Sequence, residues 1–385
     1  QPIEPGASHT FEFPIIHAGT FWYHSHSDLQ VQKGLYGAVV LSEAHADDST
    51  DERVVLFSDW TNERVESVLG NLKAKDDFYS FKRDTIQSWD RVLGNGADAI
   101  RNRLRGSISR MGPMDLADVG YDAFLVNGQR EGSVTDISTE NKQMKLRMIN
   151  GSTSTYYDVE YAAGPMTIIA ADGQDVMPIR VKRLRISTAE TYDVLVPLNA
   201  GQSFELRATS IDGSGYSSLF IGEGVKVLAP DVPRPNPFLI SHMDMDMDMD
   251  MPMSGSSPMT MHESHDMSVE VGAQEPNAMP EHVHGDPVAI STDAGAMVMH
   301  EHDARMQMEE GVIEHMTDYS ALMATHVTTL PGQQEWREIE LALTGNMERY
   351  VWSFNGKTAR ESPQILIRKG ENVRFLMKND TMMHH

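Results

Sequence analysis

The sequence contains no cysteine among its 385 residues. The absence of thiols excludes disulfide bridges, thiolate metal sites and cysteine nucleophiles from these residues. Basic residues are also scarce, because 32 Lys and Arg stand against 56 Asp and Glu and leave a formal net charge of −24. Such a charge repels phosphate backbones and anionic lipid surfaces and attracts cations. We therefore expect cations, and not nucleic acid, as partners.

Long hydrophobic runs are missing as well. No stretch approaches the ~18 consecutive apolar residues that a membrane-spanning helix needs, and the residues after Gln1 lack the basic and apolar regions of a secretory signal. We expect a soluble chain without membrane insertion. At 40% hydrophobic residues, the chain still has enough apolar side chains for two or three packed domains.

Methionine is abundant and unevenly distributed. Residues 241–326 contain 16 of the 26 Met and 9 of the 16 His, together with 17 acidic residues and a single base, Arg305. The few large apolar residues in this window show no sustained period of 2 or 3.6. This composition predicts a disordered, solvated linker that is rich in Met and His.

Most of the remaining sequence is typical of β-structure. Short runs of β-branched and aromatic residues, such as 53–57, 166–170 and 192–196, alternate with turn residues. Asn127-Gly128 and Asp172-Gly173 supply the positive φ angles that tight turns need. Over about 61–111 the apolar spacing is helical instead, with Val65, Val68, Leu69 and Leu72 at i, i+3, i+4 and i+7. We predict a mainly β fold, a sandwich or barrel, with a helical insertion.

Two histidines, His24 and His26, stand two positions apart in the β-prone run 19–26. On a strand they would share one face, with Cα atoms about 7 Å apart. That separation suits two imidazoles that bind neighbouring metals better than joint chelation of one ion. Imidazole binds Cu, Zn, Fe or Ni, so the spacing does not select the metal. An arbitrary His-x-His pair is more often a surface or hydrogen-bonded pair, and spacing alone leaves that alternative open.

The residues around this pair carry a family resemblance. Residues 19–37 read GTFWYHSHSDLQVQKGLYG. The string resembles the second copper-binding motif of the multicopper oxidases, and in particular their periplasmic copper-resistance branch, the copper resistance protein A family. Stretches similar to the middle domain of that family occur at 59–61, 115–119, 126–129, 147–152, 170–176 and 189–194. The resemblance implies cupredoxin-like Greek-key β-sandwich domains.

The same resemblance implies a set of copper ligands. It assigns His24 and His26 to the binuclear type 3 pair of a trinuclear copper cluster, and His385 to the type 1 copper. The first copper motif would precede residue 1, and the rest of the third motif and the fourth would follow residue 385. We therefore expect a fragment that lacks both ends, is inactive alone and aggregates. The cofactors expected of the whole protein are type 1, type 2 and type 3 copper.

The resemblance and the composition together predict four regions. Residues 1–46 would be the C-terminal part of a first cupredoxin domain, and 47–235 a second cupredoxin domain that includes the helical insertion. Residues 236–333 would be the flexible Met- and His-rich segment. Residues 334–385 would be the N-terminal part of a third, truncated cupredoxin domain.

The Met- and His-rich segment has a metal-binding interpretation of its own. Thioether sulfur is a soft ligand that favours Cu(I), and the alternating Asp residues attract cations. The candidate residues for Cu(I) capture are Met243, Met245, Met247, Met249, Met251, Met253, His262 and His265. The alternative is an acidic low-complexity linker in which Met is tolerated because nothing packs there.

The function implied by the resemblance is that of a periplasmic copper oxidase. Such an enzyme couples the one-electron oxidation of Cu(I), or of phenols, to the four-electron reduction of O2 to water, for copper resistance. Its partners would be copper ions and O2, with the oligomeric state left open. One alternative is a periplasmic protein that sequesters copper through its Met- and His-rich segment. Another is a cupredoxin-like structural module with a degenerate centre.

Overall fold

A computed structural model of the chain describes residues 3–27, 29–42, 50–74, 78–79, 82, 85, 88–108, 117, 119–137, 142–233, 311–328, 335–346 and 350–381. The first half contains β1 (Gly19–His24), β2 (Tyr36–Leu41), β3 (Glu52–Trp60), α1 (Val65–Ala74), α2 (Trp89–Gly94), α3 (Ala97–Ile108), β4 (Ala123–Val126), β5 (Glu131–Val134), β6 (Gln143–Asn150), β7 (Tyr157–Tyr161), β8 (Met166–Ala171) and β9 (Gln174–Ile186). The second half contains β10 (Thr191–Pro197), β11 (Gln202–Ser210), β12 (Tyr216–Ile221), β13 (Val225–Val227), β14 (Ile313–Met316), β15 (Trp336–Asn346), β16 (Val351–Phe354) and β17 (Asn372–Asn379). The predicted mainly β fold is confirmed.

The largest structure in the described part of the chain is a sheet that we call the middle sheet. Its strand order is β4-β3-β6-β10-β8-β9-β7-β11-β12-β5, with β13 beside β11 and β14 beside β9. Strand β6 shows how the sheet forms its core, because Met144, Leu146 and Met148 alternate onto one face and are fully buried. They pack in one cluster with Ile168 and Leu206 from neighbouring strands.

The helical insertion predicted over about 61–111 is also present. Helix α1 buries Val65, Val68 and Leu72, which lie on one face because they are spaced at i, i+3 and i+7. Val68 and Leu72 of this face pack with Tyr79 and Val119 in a small cluster of their own. In the part of the chain that the structure describes, no helix has both the length and the apolar character needed to cross a membrane.

The two tight turns expected from the sequence adopt the predicted backbone. Asn127 and Gly128 have φ angles of 49° and 80°, and Asp172 and Gly173 have φ angles of 47° and 73°. Positive φ at two consecutive residues matches the right-handed twist of the strands on either side. The second turn joins β8 to β9 and contacts β1 at Gly19 and Phe21.

Residues 311–328 differ from the expectation of a solvated linker over 236–333. This docked segment, as we call residues 311–328, contains β14, which pairs in parallel with β9 from Val181 to Leu184. Met316 is buried in the core of the middle sheet, and Ala324 forms an antiparallel bridge with Val176. The segment is ordered because its backbone groups pair with β9 and because Met316 anchors it in the core. Composition averaged over a wide window does not reveal either contact.

The end of the described chain forms a separate small sheet. Strand β15 pairs antiparallel with β16 and parallel with β17. Among the described residues of 335–381, no side chain falls in the buried class, and Leu366 is 73% exposed. Strands therefore form here without an enclosed core.

Candidate metal centre

Strand β1 and the loop after it position the two histidines of the copper-like motif. His24 is the last residue of β1 and lies opposite Tyr36 of β2. His26 lies just beyond the end of the strand, in a loop over 25–35. Ser25 donates its backbone N–H to the Leu35 carbonyl at 3.3 Å and its hydroxyl to Gln30 Oε1 at 2.5 Å. These bonds fold the loop back onto the strand end.

The structure brings the two imidazoles together. The ring centroids of His24 and His26 are 4.5 Å apart with a 35° tilt, and Trp22 stacks on His24 at 4.0 Å. Trp22 and His24 share a face because side chains two apart on a strand point the same way. The proximity expected from the spacing is therefore present, while metal binding by the pair stays a prediction.

The electrostatic environment of His24 favours its neutral form. Burial, with a further contribution from the neighbouring His26, lowers the pKa of His24 below its usual value of 6.5. A neutral imidazole keeps a nitrogen lone pair free, and this is the form that binds metal ions. The ring is therefore ready to bind a metal ion at neutral pH without first losing a proton.

The donor chemistry of the pair fits copper, since imidazole nitrogen is a suitable copper ligand. Within the residues that the structure describes, no group of three or more His, Cys, Asp or Glu side chains is placed to hold a metal ion. Several predicted site residues lie outside the described residues: His385, Met243, Met245, Met247, Met249, Met251, Met253, His262 and His265.

A buried polar network fixes β1 to the middle sheet. Thr20 donates its hydroxyl to Asp193 at 2.5 Å, and Arg147 donates to both Thr20, at 3.0 Å, and Asp193, at 2.9 Å. Thr191 donates its hydroxyl to the Thr20 carbonyl at 2.9 Å, and Arg147 also binds Glu52 at 2.9 Å. Buried charges need partners of this kind, so the network sets the position of the strand that carries His24.

Sequence reasoning missed the supporting role of Thr20, Arg147 and Asp193. A signal was available, because Arg147 and Asp193 are charged residues in the middle of apolar strands. A buried charge in such a position requires an opposite charge nearby. The partner itself was not predictable, since Thr20 is separated from Arg147 by 127 residues and from Asp193 by 173.

Glycine allows β1 and the β8–β9 turn to approach each other closely. A Cβ atom at Gly19 would lie 2.7 Å from the Cα atom of Gly173, and a Cβ atom at Gly173 would collide with the ring of Phe21. Both residues also have positive φ angles, of 144° and 73°. The motif strand therefore crosses the turn at a point where only glycine fits.

The loop of the motif also contacts the helical insertion and its surroundings. Lys33 forms an ion pair with Glu66 of α1 at 3.1 Å, and Tyr121 donates its hydroxyl to Gln32 at 3.4 Å. These contacts are exposed or partly buried, so each contributes little to stability. They show that the insertion packs beside the loop that carries His26.

Comparisons with known proteins agree with the resemblance of the motif. Family models described as multicopper oxidase match residues 1–46 and 51–220. Copper resistance protein A of Escherichia coli is 34% identical, over all of this chain and 69% of the relative. Copper resistance protein A of Pseudomonas syringae pv. tomato is 33% identical over the same shares. A crystal structure of the laccase from Botrytis aclada is 20% identical, with a TM-score of 0.37 over 57% of this chain and 38% of that one.

Proposed function

The chain belongs to the copper resistance protein A family of multicopper oxidases, and from that premise we propose that it oxidises Cu(I) to Cu(II) in the periplasm. Membership makes it a copper-dependent oxidase of copper resistance, with copper as cofactor and O2 as electron acceptor. The proposal adds the electron donor, the compartment and the ligands. Oxidation of Cu(I) supports resistance because it converts a soft, thiophilic cation into Cu(II).

We assign His24 and His26 to the type 3 copper pair, and His385 to the type 1 copper. Copper held by these residues would supply one-electron redox chemistry, so that four electrons from four Cu(I) donors, together with four protons, would reduce one O2 to two water molecules. The residues of this chain hold the imidazoles in place for that chemistry. The observation that carries the assignment to the type 3 pair is the approach of the His24 and His26 rings, 4.5 Å between centroids, at the end of a strand anchored by the buried Thr20 network.

We further propose that the Met- and His-rich segment collects Cu(I) for the oxidase. Met243, Met245, Met247, Met249, Met251 and Met253 alternate with acids or Pro, and His262 and His265 follow. Soft thioethers select Cu(I), while the surrounding negative charge raises the local cation concentration. The density of 16 Met in residues 241–326 also favours a second candidate function, copper sequestration without turnover.

Oxygen uptake by the complete, copper-loaded protein with Cu(I) as donor tests the proposal. His24→Ala should abolish uptake, because one imidazole of the pair is lost, and should leave Cu(I) binding by the Met-rich segment unchanged. His17→Ala, which removes an exposed histidine from the same part of the chain, is the matched control and should retain uptake.

Two results would count against this function. Full oxygen uptake in the His24→Ala protein would overturn the ligand assignment. Absence of uptake by the parent protein, with several Cu(I) still bound, would favour sequestration over oxidation. Deletion of residues 241–310 tests the collection of Cu(I) separately from turnover, since oxygen uptake should then fall mainly at low Cu(I) concentration. This deletion leaves the docked segment intact.

A further inference from the structure

Two methionines face each other where the docked segment meets β9. Val176 and Ala324 form an antiparallel bridge, the Met177 N–H donates to the Met323 carbonyl at 2.7 Å, and the Thr325 N–H donates to the Asp175 carbonyl at 3.2 Å. This register places Met177 directly opposite Met323. Side chains at such positions have Cβ atoms about 4.5–5.5 Å apart on the same face.

That face is directed to solvent. Val176 is buried, and side chains alternate along a strand, so Met177 and Met323 lie on the opposite, outer face. Met177 is 48% exposed and Met323 is 45% exposed. Methionine is among the residues most often buried, so two exposed methionines paired across strands are unusual. Asp175, two positions before Met177 on β9, is exposed on the same face.

The backbone under the pair is fixed from several sides. Strand β14 pairs with β9 over Val181–Leu184, and Met316 is buried in the core. Tyr319 donates its hydroxyl to Asp172 at 2.6 Å. Because these contacts hold the docked segment on β9, the backbone keeps Met177 and Met323 opposite each other before any ligand binds, which reduces the entropy cost of binding.

The chemistry of this face points to a soft cation. Thioether sulfur selects Cu(I) over hard divalent ions, and a nearby carboxylate adds attraction for positive charge. The docked segment is also the direct continuation of the Met- and His-rich residues before 311. We propose that Met177 and Met323, with Asp175 beside them, form a surface site for Cu(I) that is separate from the His24–His26 pair. The site requires no oxidase turnover and therefore goes beyond the proposed function.

Residue-resolved oxidation of methionine tests this site in the full chain. Ag(I) is the probe, since it has the charge and softness of Cu(I) and does not cycle with peroxide. The protein is treated with hydrogen peroxide with and without saturating Ag(I), and sulfoxide formation at each Met is followed by peptide mass spectrometry. Met177 and Met323 should oxidise several-fold more slowly with Ag(I). Met377, which is 67% exposed on β17, is the internal control and should not change.

Variants separate a paired site from two independent thioethers. Met323→Leu preserves side-chain volume at an exposed position, so the fold should be retained, and the protection of Met177 should be lost. Met377→Leu is the matched control and should leave the protection of Met177 and Met323 intact. Unchanged oxidation of Met177 and Met323 under saturating Ag(I) would overturn the site, as would protection of Met177 that persists in Met323→Leu.

The outcome of the Ag(I) experiment does not depend on whether His24 and His26 bind copper. The His24→Ala protein should show the same Ag(I) protection at Met177 and Met323 as the parent. Protection without oxygen uptake would therefore support the surface site while the oxidase proposal fails, and oxygen uptake without protection would do the reverse.

Discussion

The middle sheet and the small sheet of β15, β16 and β17 are built from similar strands but differ in burial. Leu146 of the middle sheet is fully buried, whereas Leu376 of β17 is 42% exposed and Leu366, in the loop before β17, is 73% exposed. Both regions have the β-branched and aromatic residues that favour strands. The difference shows that residue pattern determines which segments form strands, while burial depends on what packs against them.

Removing a large side chain in each region should give the largest contrast. Leu146→Ala should lower the free energy of unfolding by about 2–5 kcal/mol, because it removes buried methyl groups and leaves a cavity. Leu366→Ala should change it by no more than ~0.5 kcal/mol, since the side chain is exposed. Urea denaturation followed by circular dichroism measures both. Equal losses in the two variants would show that the loop before β17 is covered in solution.

Hairpin β1–β2 is an intermediate case that depends on the middle sheet. Asp193→Ala removes the carboxylate shared by Thr20 and Arg147, and leaves Arg147 buried with only Glu52 as an acidic partner. We expect a loss of about 2–3 kcal/mol, as for other groups left unsatisfied in a protein interior. Amide hydrogen exchange in β1 should become faster.

Asp318→Ala is the matched control for that experiment. Asp318 is exposed and accepts hydrogen bonds from Ser320, two residues away. Exchange in β1 should be unchanged in this variant. If Asp193→Ala also leaves β1 exchange unchanged, the network does not anchor the motif strand, and another contact must do so.

The features that the sequence predicted are those that depend on neighbours in the chain. Helix α1 follows from the spacing of Val65, Val68 and Leu72, and the Asp172-Gly173 turn from local backbone preference. The proximity of His24 and His26 follows from their separation of two residues on an extended chain.

The features that were missed depend on distant partners. The docked segment is ordered because the edge of β9, about 130 positions earlier in the chain, is available to β14. The Thr20–Arg147–Asp193 network and the Met177–Met323 pair likewise join residues that are far apart in sequence. Composition averaged over residues 241–326 placed the docked segment in the linker, because charge and Met content conceal a short apolar anchor such as Met316.

The docked segment gives the prediction with the smallest expected effect, because it is short and is buried at one point. His315 Nε2 lies 3.0 Å from Asp158 Oδ1, and Arg185 donates to both oxygens of the same carboxylate. Burial alone would raise the pKa of Asp158, but the hydrogen bonds from His315 and Arg185 outweigh it and hold the pKa below its usual 3.8. The folded state therefore favours the ionised carboxylate. This stabilisation is complete at pH values above the usual pKa and is lost as pH falls through the lowered one.

Asp158→Asn should lower the free energy of unfolding at pH 7 by about 1.5 kcal/mol, the low end for a hydrogen bond to a charged group. The difference between variant and parent should shrink as pH falls below about 4, because the unfolded parent then takes up a proton that the folded carboxylate, with its lowered pKa, resists. Urea midpoints measured from pH 7 to pH 3 check this.

Glu314→Gln breaks only the exposed pair with Lys182 and should change stability at pH 7 by no more than ~0.5 kcal/mol. A difference between Asp158→Asn and parent that stays constant down to pH 3 would mean that the carboxylate charge does not hold the docked segment, leaving strand pairing and Met316 to do so.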